Sequence, residues 1–173
     1  TEVKVAYVDA LSQCGFDEIE VSSFVSPKWI PQLADAEAVF AQIRRTPGVT
    51  YMALVPNQQG LERALAARAD KVAVFTAASE TFSRKNTNAS IAETLDRFAP
   101  VLANATVPVR GYISTAFHCP FEGPVAPEKV LELARNFETE QLRILDIGTG
   151  CGNIAVSLAK YLEHAKLKGM DIS

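Results

Sequence analysis

Short apolar runs alternate with amphipathic segments along most of this chain. Four runs are rich in β-formers and are typical of buried strands: residues 18–25, 51–56, 71–77 and 107–114. Patterns with helical period lie after them, near residues 33–45, 59–69, 90–102 and 127–137. This alternation predicts parallel βα units with right-handed crossovers, so the carboxyl ends of the strands should lie on one face.

The ends of two helices carry their own signals. Charged residues interrupt the apolar positions of residues 1–15, which predicts an amphipathic helix and not a signal peptide. Ser90 and Glu93 have the spacing of a capping box, which predicts a helix beginning directly after Ser90.

Composition narrows the class of protein. The 173 residues are 48% hydrophobic and 21% charged, which is typical of a soluble globular protein, and no segment approaches the roughly 20 apolar residues of a membrane span. A net charge of −3 gives no electrostatic reason to expect nucleic acid or an anionic membrane as a partner, so a small-molecule ligand fits better. Three widely spaced cysteines argue against disulfides and zinc and favour the cytoplasm.

Polar side chains occur at or near the ends of the four β-rich runs, where parallel βα units concentrate their sites. These residues are Glu20, Asn57, Ser79 and Thr115. Two interpretations stay open for the last three, because polar residues at βα junctions are also common helix caps.

A glycine-rich turn stands out in residues 143–173. A predicted strand leads into Asp146, Gly148, Gly150 and Gly152, and a helix and a second strand close on Asp171, 19 residues after Gly152. Glycines allow a close backbone approach to a ligand, and an acid at this distance can accept hydrogen bonds from ribose hydroxyls. The pattern therefore predicts nucleoside binding, with a tight strand-to-helix turn that binds nothing as the alternative.

Residues 3–137 resemble the 3-hydroxy-3-methylglutaryl-CoA lyase family. The resemblance rests on IEVSSFVSPKWIPQLAD at 19–35, on VPN at 55–57, and on further blocks at 77–86 and 110–123. It implies a metal-dependent (β/α)₈ TIM barrel that cleaves hydroxymethylglutaryl-CoA to acetoacetate and acetyl-CoA by a retro-Claisen step.

The resemblance also assigns roles to individual residues. It implies Glu20 as the catalytic carboxylate, Asn57, Ser79 and Thr115 as substrate-binding residues, and Mg²⁺ or Mn²⁺ as the metal. The family's R-D-G motif would precede Thr1, and its H-x-H metal pair, asparagine ligand and cysteine loop belong to later strands; this sequence contains none of them. We therefore expect no lyase activity from this chain alone.

The string ILDIGTGCGNIAVSLAKYL at 144–162 resembles the first motif of adenosylmethionine-dependent protein-glutamine methyltransferases that act on release factors. It implies that Asp146, Gly148, Gly150 and Gly152 surround the methionine part of adenosylmethionine and that Asp171 holds its ribose. The family's N-P-P-Y motif is absent, so binding without catalysis is expected.

The sequence thus predicts an α/β chain of two parts. Residues 1–137 would form about four βα units of a partial TIM barrel, and residues 138–173 a Rossmann-like βαβ unit, with both contributing to one open parallel sheet of about five or six strands. Open sheet edges would favour self-association. Three functional hypotheses remain: a lyase that binds a CoA ester, a methyltransferase fragment, and a chimeric scaffold without catalysis.

Overall fold

A computed structural model describes residues 1–136, 143–147, 156, 160–162 and 166–170. The chain divides into two compact units. The first contains Thr1–Phe75 and Asp96–Tyr112, and the second contains Thr76–Leu95 and Ile113–Ser173. The predicted junction near 137–141 lies outside the described residues.

Helices and strands alternate as the sequence pattern predicts. In chain order they are α1 Glu2–Leu11, β1 Glu18–Ser23, a 3-10 helix Pro31–Leu33, α2 Ala36–Gln42, β2 Thr50–Leu54, α3 Gln58–Ala66, β3 Lys71–Ala77, α4 Glu80–Thr87, α5 Ile91–Asn104, β4 Val109–Ser114, β5 His118–Cys119, β6 Gly123–Pro124, α6 Pro127–Arg135, β7 Arg143–Ile147 and β8 Lys166–Met170. None of the helices that the structure describes is long and apolar enough to cross a membrane.

Strands β1 to β4 form one sheet in chain order, and the β1–β2 and β2–β3 pairings are parallel. Each strand thus neighbours its predecessor, as in a barrel wall. One face of the sheet is apolar and almost fully buried, and it carries Ile19, Tyr51, Ala53, Val72 and Val74. These observations confirm the partial α/β barrel.

A β-bulge interrupts β1. Glu20 pairs with Met52, but the next pairs are Ser22 with Ala53 and Ser23 with Leu54, so Val21 is the extra residue. Side chains alternate between the faces of a strand, and one inserted residue reverses that alternation beyond it. Since Met52 and Leu54 point to the same face of β2, Glu20 and Ser23 also share one face.

Tyr51 anchors the amino-terminal part of the first unit. Its side chain is 1% exposed, and its hydroxyl donates to Ser12 Oγ at 2.8 Å and accepts the Thr46 N–H at 2.8 Å. The Arg45 guanidinium lies 5.3 Å from the centre of its ring. The hydroxyl thereby joins the end of α1 to the loop before β2.

The second unit has its own core. Residues of α6 pack with Ala78, Ile91 and Leu162, and Ile113 and Leu167 lie partly buried against this cluster. Strands β5 and β6 form an antiparallel hairpin, and β7 pairs with β8 in parallel.

The expectation of one continuous sheet is not confirmed. Within the described ranges, β7 and β8 form a two-stranded sheet of their own, apart from the four-stranded sheet. Strand β7 is parallel to β8, which does not give its direction relative to β1–β4.

Candidate functional site

Glu20 projects from the less buried face of the first unit's sheet. It is the third residue of β1, directly before the bulge at Val21 and three positions before the last residue of the strand, Ser23. Its side chain is exposed, and its Oε2 accepts a hydrogen bond from Tyr112 Oη at 3.1 Å. In the described part of the chain its Oε1 has no hydrogen-bond partner, so one carboxylate oxygen is available to a ligand.

Glu18, two positions before Glu20, lies in a cluster of charges on the same face. Lys71 Nζ donates to its Oε1 at 2.7 Å, and Arg110 Nη2 donates to its Oε2. Partial burial raises the pKa of Glu18, but the bonds and charges of Lys71 and Arg110 outweigh that effect and leave the pKa below its ordinary value. Glu18 is therefore a structural anion held by two cations.

Tyr112 links this cluster to Glu20. The Arg110 guanidinium lies 5.9 Å from the centre of its ring, within the range of a cation–π contact. Desolvation by burial raises the pKa of the Tyr112 hydroxyl, and the Glu20 carboxylate raises it further. The phenol thus stays protonated and able to donate to Glu20.

Ser23 belongs to the same face, and the sequence interpretation overlooked it. Its Oγ is buried and has no hydrogen-bond partner in the described structure, which is a costly state for a hydroxyl. An unpaired hydroxyl on the face of Glu20 is suited to bond a ligand oxygen. The sequence gives little indication that Ser23 lies on this face, because nothing in the alternation of residues along β1 reveals the bulge.

Asn57 occupies the amino end of α3. Its Oδ1 accepts the Gly60 N–H at 2.9 Å, which makes it the helix N-cap. It also lines a pocket of about 300 Å³, together with Phe24, Ser26, Pro27, Pro56, Gln59, Gly60 and Arg63. Helix capping and ligand contact are therefore compatible at this residue.

Ser79 has the same structural role in the second unit. Its Oγ accepts the Phe82 N–H at 3.1 Å and lies 2.9 Å from Cys119 Sγ, and the residue is fully buried. Burial raises the pKa of the Cys119 thiol, but hydrogen bonds from Ser79 and from the backbone of Phe121 outweigh it and lower the pKa. Substrate binding by Ser79 stays a prediction beside its observed capping role.

Thr115 follows β4 directly in an unusual backbone conformation. Its φ is 55°, in the left-handed region that non-glycine residues rarely adopt, and its Oγ1 donates to the Ser114 carbonyl at 2.7 Å. The same carbonyl accepts the Ala78 N–H at 2.8 Å. Its role in substrate binding likewise stays a prediction.

The side chains that the structure describes do not gather a metal site. Nowhere in the described ranges do three His, Cys, Asp or Glu side chains cluster as ligands would. Glu20 offers one free carboxylate oxygen, whereas Mg²⁺ takes several oxygen ligands in octahedral geometry. The described residues alone therefore do not fit a divalent cation.

Of the predicted nucleoside-binding residues, the structure describes only the backbone of Asp146. It lies in β7, opposite Gly169 of β8. Gly148, Gly150, Gly152 and Asp171 lie outside the described residues.

Comparison with known proteins gives a consistent result. Residues 1–168 match the family model described as HMGL-like, so the match includes part of the segment that resembles a methyltransferase. The chain is 46% identical over 155 residues to the cytoplasmic 3-hydroxy-3-methylglutaryl-CoA lyase of Rattus norvegicus, covering 88% of this chain and 45% of the rat protein. It spans about half the length of the curated relatives that it matches.

Solved structures agree in fold. The HMG-CoA lyase of Brucella melitensis superposes with a TM-score of 0.85 at 39% identity, covering 99% of this chain and 65% of that one. An HMG-CoA lyase from A. baumannii, solved with coenzyme A and 3-methylmalate, gives a TM-score of 0.83 at 29% identity and covers 96% of this chain and 58% of that one. The chain thus has a fold that these lyases share.

Proposed function

Since this chain belongs to the HMGL-like family, we propose that it carries the Glu20 side of a carbon–carbon lyase site for hydroxymethylglutaryl-CoA. The observation that carries the proposal is the sheet face on which Tyr112 bonds one oxygen of Glu20, while the other has no hydrogen-bond partner among the described residues. The relatives are lyases named for hydroxymethylglutaryl-CoA, and one solved structure contains coenzyme A, which supports a CoA ester as the ligand.

The chemistry assigned to Glu20 is proton transfer. In retro-Claisen cleavage the tertiary hydroxyl of the substrate loses its proton to a base, the carbon–carbon bond breaks, and the hydroxyl carbon becomes the ketone of acetoacetate. The bonding electrons pass to the departing acetyl-CoA as an enolate, which then takes up a proton. A carboxylate with one free oxygen can accept the first proton.

Ser23 and the pocket beside Asn57 extend the proposal to binding. The unpaired Ser23 hydroxyl would donate to an oxygen of the acyl group, which would satisfy it. The pocket that Phe24 and Asn57 line has the volume of a small-molecule site, and we assign it to part of the CoA ester. Ser79 and Thr115 remain candidate substrate contacts in the second unit.

We expect no turnover from this chain by itself. The family implies Mg²⁺ or Mn²⁺, which would stabilise the charge that develops on the substrate oxygens, and among the described residues Glu20 has no companion ligands for such a cation. Binding of the ester should survive, since it depends on contacts that the described residues provide.

Calorimetric titration with hydroxymethylglutaryl-CoA tests the binding proposal. We expect saturable binding by the wild-type chain, weaker binding by Glu20→Gln, and unchanged binding by Glu62→Gln, an exposed glutamate on α3. Equal affinity in all three proteins would remove Glu20 from the site. An assay of acetoacetate release with Mg²⁺ or Mn²⁺ runs in parallel, and turnover lost in Glu20→Gln would overturn the expectation of inactivity.

Adenosylmethionine binding is the second candidate function. The observation that favours it is the parallel pairing of β7 with β8, because the two strands of a nucleoside-binding βαβ unit are also parallel. Titration with adenosylmethionine and with an Asp171→Ala variant tests it: saturable binding lost in the variant supports a methyltransferase-like site. If neither adenosylmethionine nor the CoA ester binds, the remaining interpretation is a scaffold without catalysis.

An edge strand of the sheet favours self-association of this chain. Among the described strands β1 lies at one edge of the four-stranded sheet, and a strand edge without a partner can pair with another chain. Sedimentation velocity over a range of concentrations should therefore detect dimers or larger species, and a single monomeric boundary at all concentrations would oppose this.

We propose the cytoplasm as the compartment, as in the name of the rat relative.

A further inference from the structure

Tyr112 acts on Glu20 from a distant part of the sequence. The two residues are 92 positions apart, on β1 and β4, and the 3.1 Å hydrogen bond between them is the contact that orients the exposed carboxylate. A free glutamate side chain on a strand samples several rotamers, whereas one fixed oxygen limits the direction of the other.

Tyr112 is itself restrained. Arg110, two positions earlier on the same strand, lies against the tyrosine ring and also binds Glu18. Glu18 is held in turn by Lys71 of β3, at the amino end of that strand. A series of side-chain contacts therefore leads from Lys71 through Glu18, Arg110 and Tyr112 to the Glu20 carboxylate.

We infer that Tyr112 is a positioning residue that holds Glu20 Oε2 and presents Oε1 to the ligand. The inference rests on the proposed function for the identity of that ligand, a CoA ester with a 3-hydroxy group. It assigns Tyr112 no contact with the substrate. Its contribution to binding should therefore depend entirely on the presence of the Glu20 carboxylate.

A tyrosine titration tests the contact independently of any ligand. In protein labelled at the tyrosine ring carbons, Tyr112→Phe identifies the Tyr112 resonance, and its pKa should lie above the ordinary tyrosine value. Glu20→Gln removes the negative charge that opposes ionisation of the phenol, so the pKa of Tyr112 should fall. Tyr51, whose hydroxyl bonds to Ser12 and Thr46, is the internal control and should not respond.

A double-mutant cycle tests whether Tyr112 acts through Glu20. We expect Tyr112→Phe to weaken hydroxymethylglutaryl-CoA binding roughly tenfold, as for loss of a hydrogen bond to a charged group. In the Glu20→Gln background the same change should have little further effect, because there is no carboxylate left to orient. Tyr7→Phe, at an exposed tyrosine on α1, is the matched control and should bind as the wild type does.

The outcomes separate this inference from the proposed function. Additive losses in the cycle, or a Tyr112 pKa unchanged by Glu20→Gln, would overturn the positioning role while leaving CoA-ester binding intact. If the wild-type chain binds no ester, the proposed function fails, and the titration alone then supports or overturns the coupling of Tyr112 to Glu20.

Discussion

Ser23 shares a sheet face with Glu20 although three positions separate them, because the bulge at Val21 reverses the alternation of side chains along β1. Without the bulge the two side chains would point to opposite faces. The bulge thus brings to one side of the strand a carboxylate and a hydroxyl that no described residue bonds.

Ser23→Ala should separate binding from stability. Ser23 Oγ is buried and has no partner in the described part of the chain, so its loss removes a desolvation cost, and the free energy of unfolding should stay unchanged or rise by up to about 2 kcal/mol. Hydroxymethylglutaryl-CoA binding should weaken roughly two- to tenfold. Thermal denaturation and calorimetry measure the two effects. Ser22→Ala, on the opposite face, is the control for binding, and a large loss of stability in Ser23→Ala would show that Ser23 Oγ has a bond after all.

Glu18 should make stability depend on acid pH. Its pKa in the folded chain is lowered, so the ion pairs stabilise the fold above the unfolded value of about 4.3, and this contribution disappears as pH falls through the lowered pKa. The free energy of unfolding, measured by urea denaturation, should therefore fall more between pH 7 and pH 3 in the wild type than in Glu18→Gln. The exposed Glu62→Gln should follow the wild type, and identical losses in all three proteins would mean that Lys71 and Arg110 do not hold Glu18.

Tyr51→Phe should destabilise the first unit. The change leaves the Thr46 N–H without its acceptor and removes the bond to Ser12, which should cost about 1–3 kcal/mol. The expected fall in Tm is roughly 2–4 °C for each kcal/mol. Tyr7→Phe changes the same atoms at a position that is 64% exposed and should leave Tm unchanged.

Gly60→Ala should also destabilise, although alanine is the better helix former. An added Cβ would lie 2.7 Å from Pro56 Cδ and 3.2 Å from the Phe24 carbonyl oxygen. Overpacking of this kind costs about 1–3 kcal/mol, against a gain of about 1 kcal/mol in helix propensity. Ala66→Gly, at an exposed site of the same helix, measures how much the difference in helix propensity between alanine and glycine contributes to stability. A Gly60→Ala variant more stable than the wild type would show that Pro56 moves aside freely.

Ser90→Ala should loosen the start of α5. Ser90 Oγ accepts the Glu93 N–H at 3.1 Å, and Glu93 Oε2 accepts the Ser90 N–H at 2.6 Å. Loss of such a cap costs about 0.5–2 kcal/mol, measurable by chemical denaturation. Thr106→Ala, which removes an exposed hydroxyl, is the matched control, and an equal effect in both variants would contradict the capping role.

Local sequence patterns predict most of the helices and strands. Strand β3 covers the predicted run at 71–77, and the capping box at Ser90 places the start of α5 within one residue. Helix α4 was not predicted, since residues 80–87 are mostly polar and lack apolar periodicity. The β5–β6 hairpin has two-residue strands, too short for an alternating pattern.

The candidate site was predictable only in part. Glu20 was identified from a motif, but its partner Tyr112 lies 92 residues away and no local pattern connects the two. The position of Glu20 within β1 and the contribution of Ser23 both depend on the bulge, which is a matter of pairing between strands. Long-range contacts and register are properties that a single sequence does not display.

The ion pair between Glu18 and Arg110 also constrains the order of events during synthesis. The two residues are 92 positions apart, so Arg110 leaves the ribosome roughly 5–18 s after Glu18 at translation rates of about 5–20 residues per second. For that interval β1 carries an anion whose Arg110 partner does not yet exist. Glu18 can pair earlier with Lys71 of β3, so its charge is fully compensated after β4 joins the sheet.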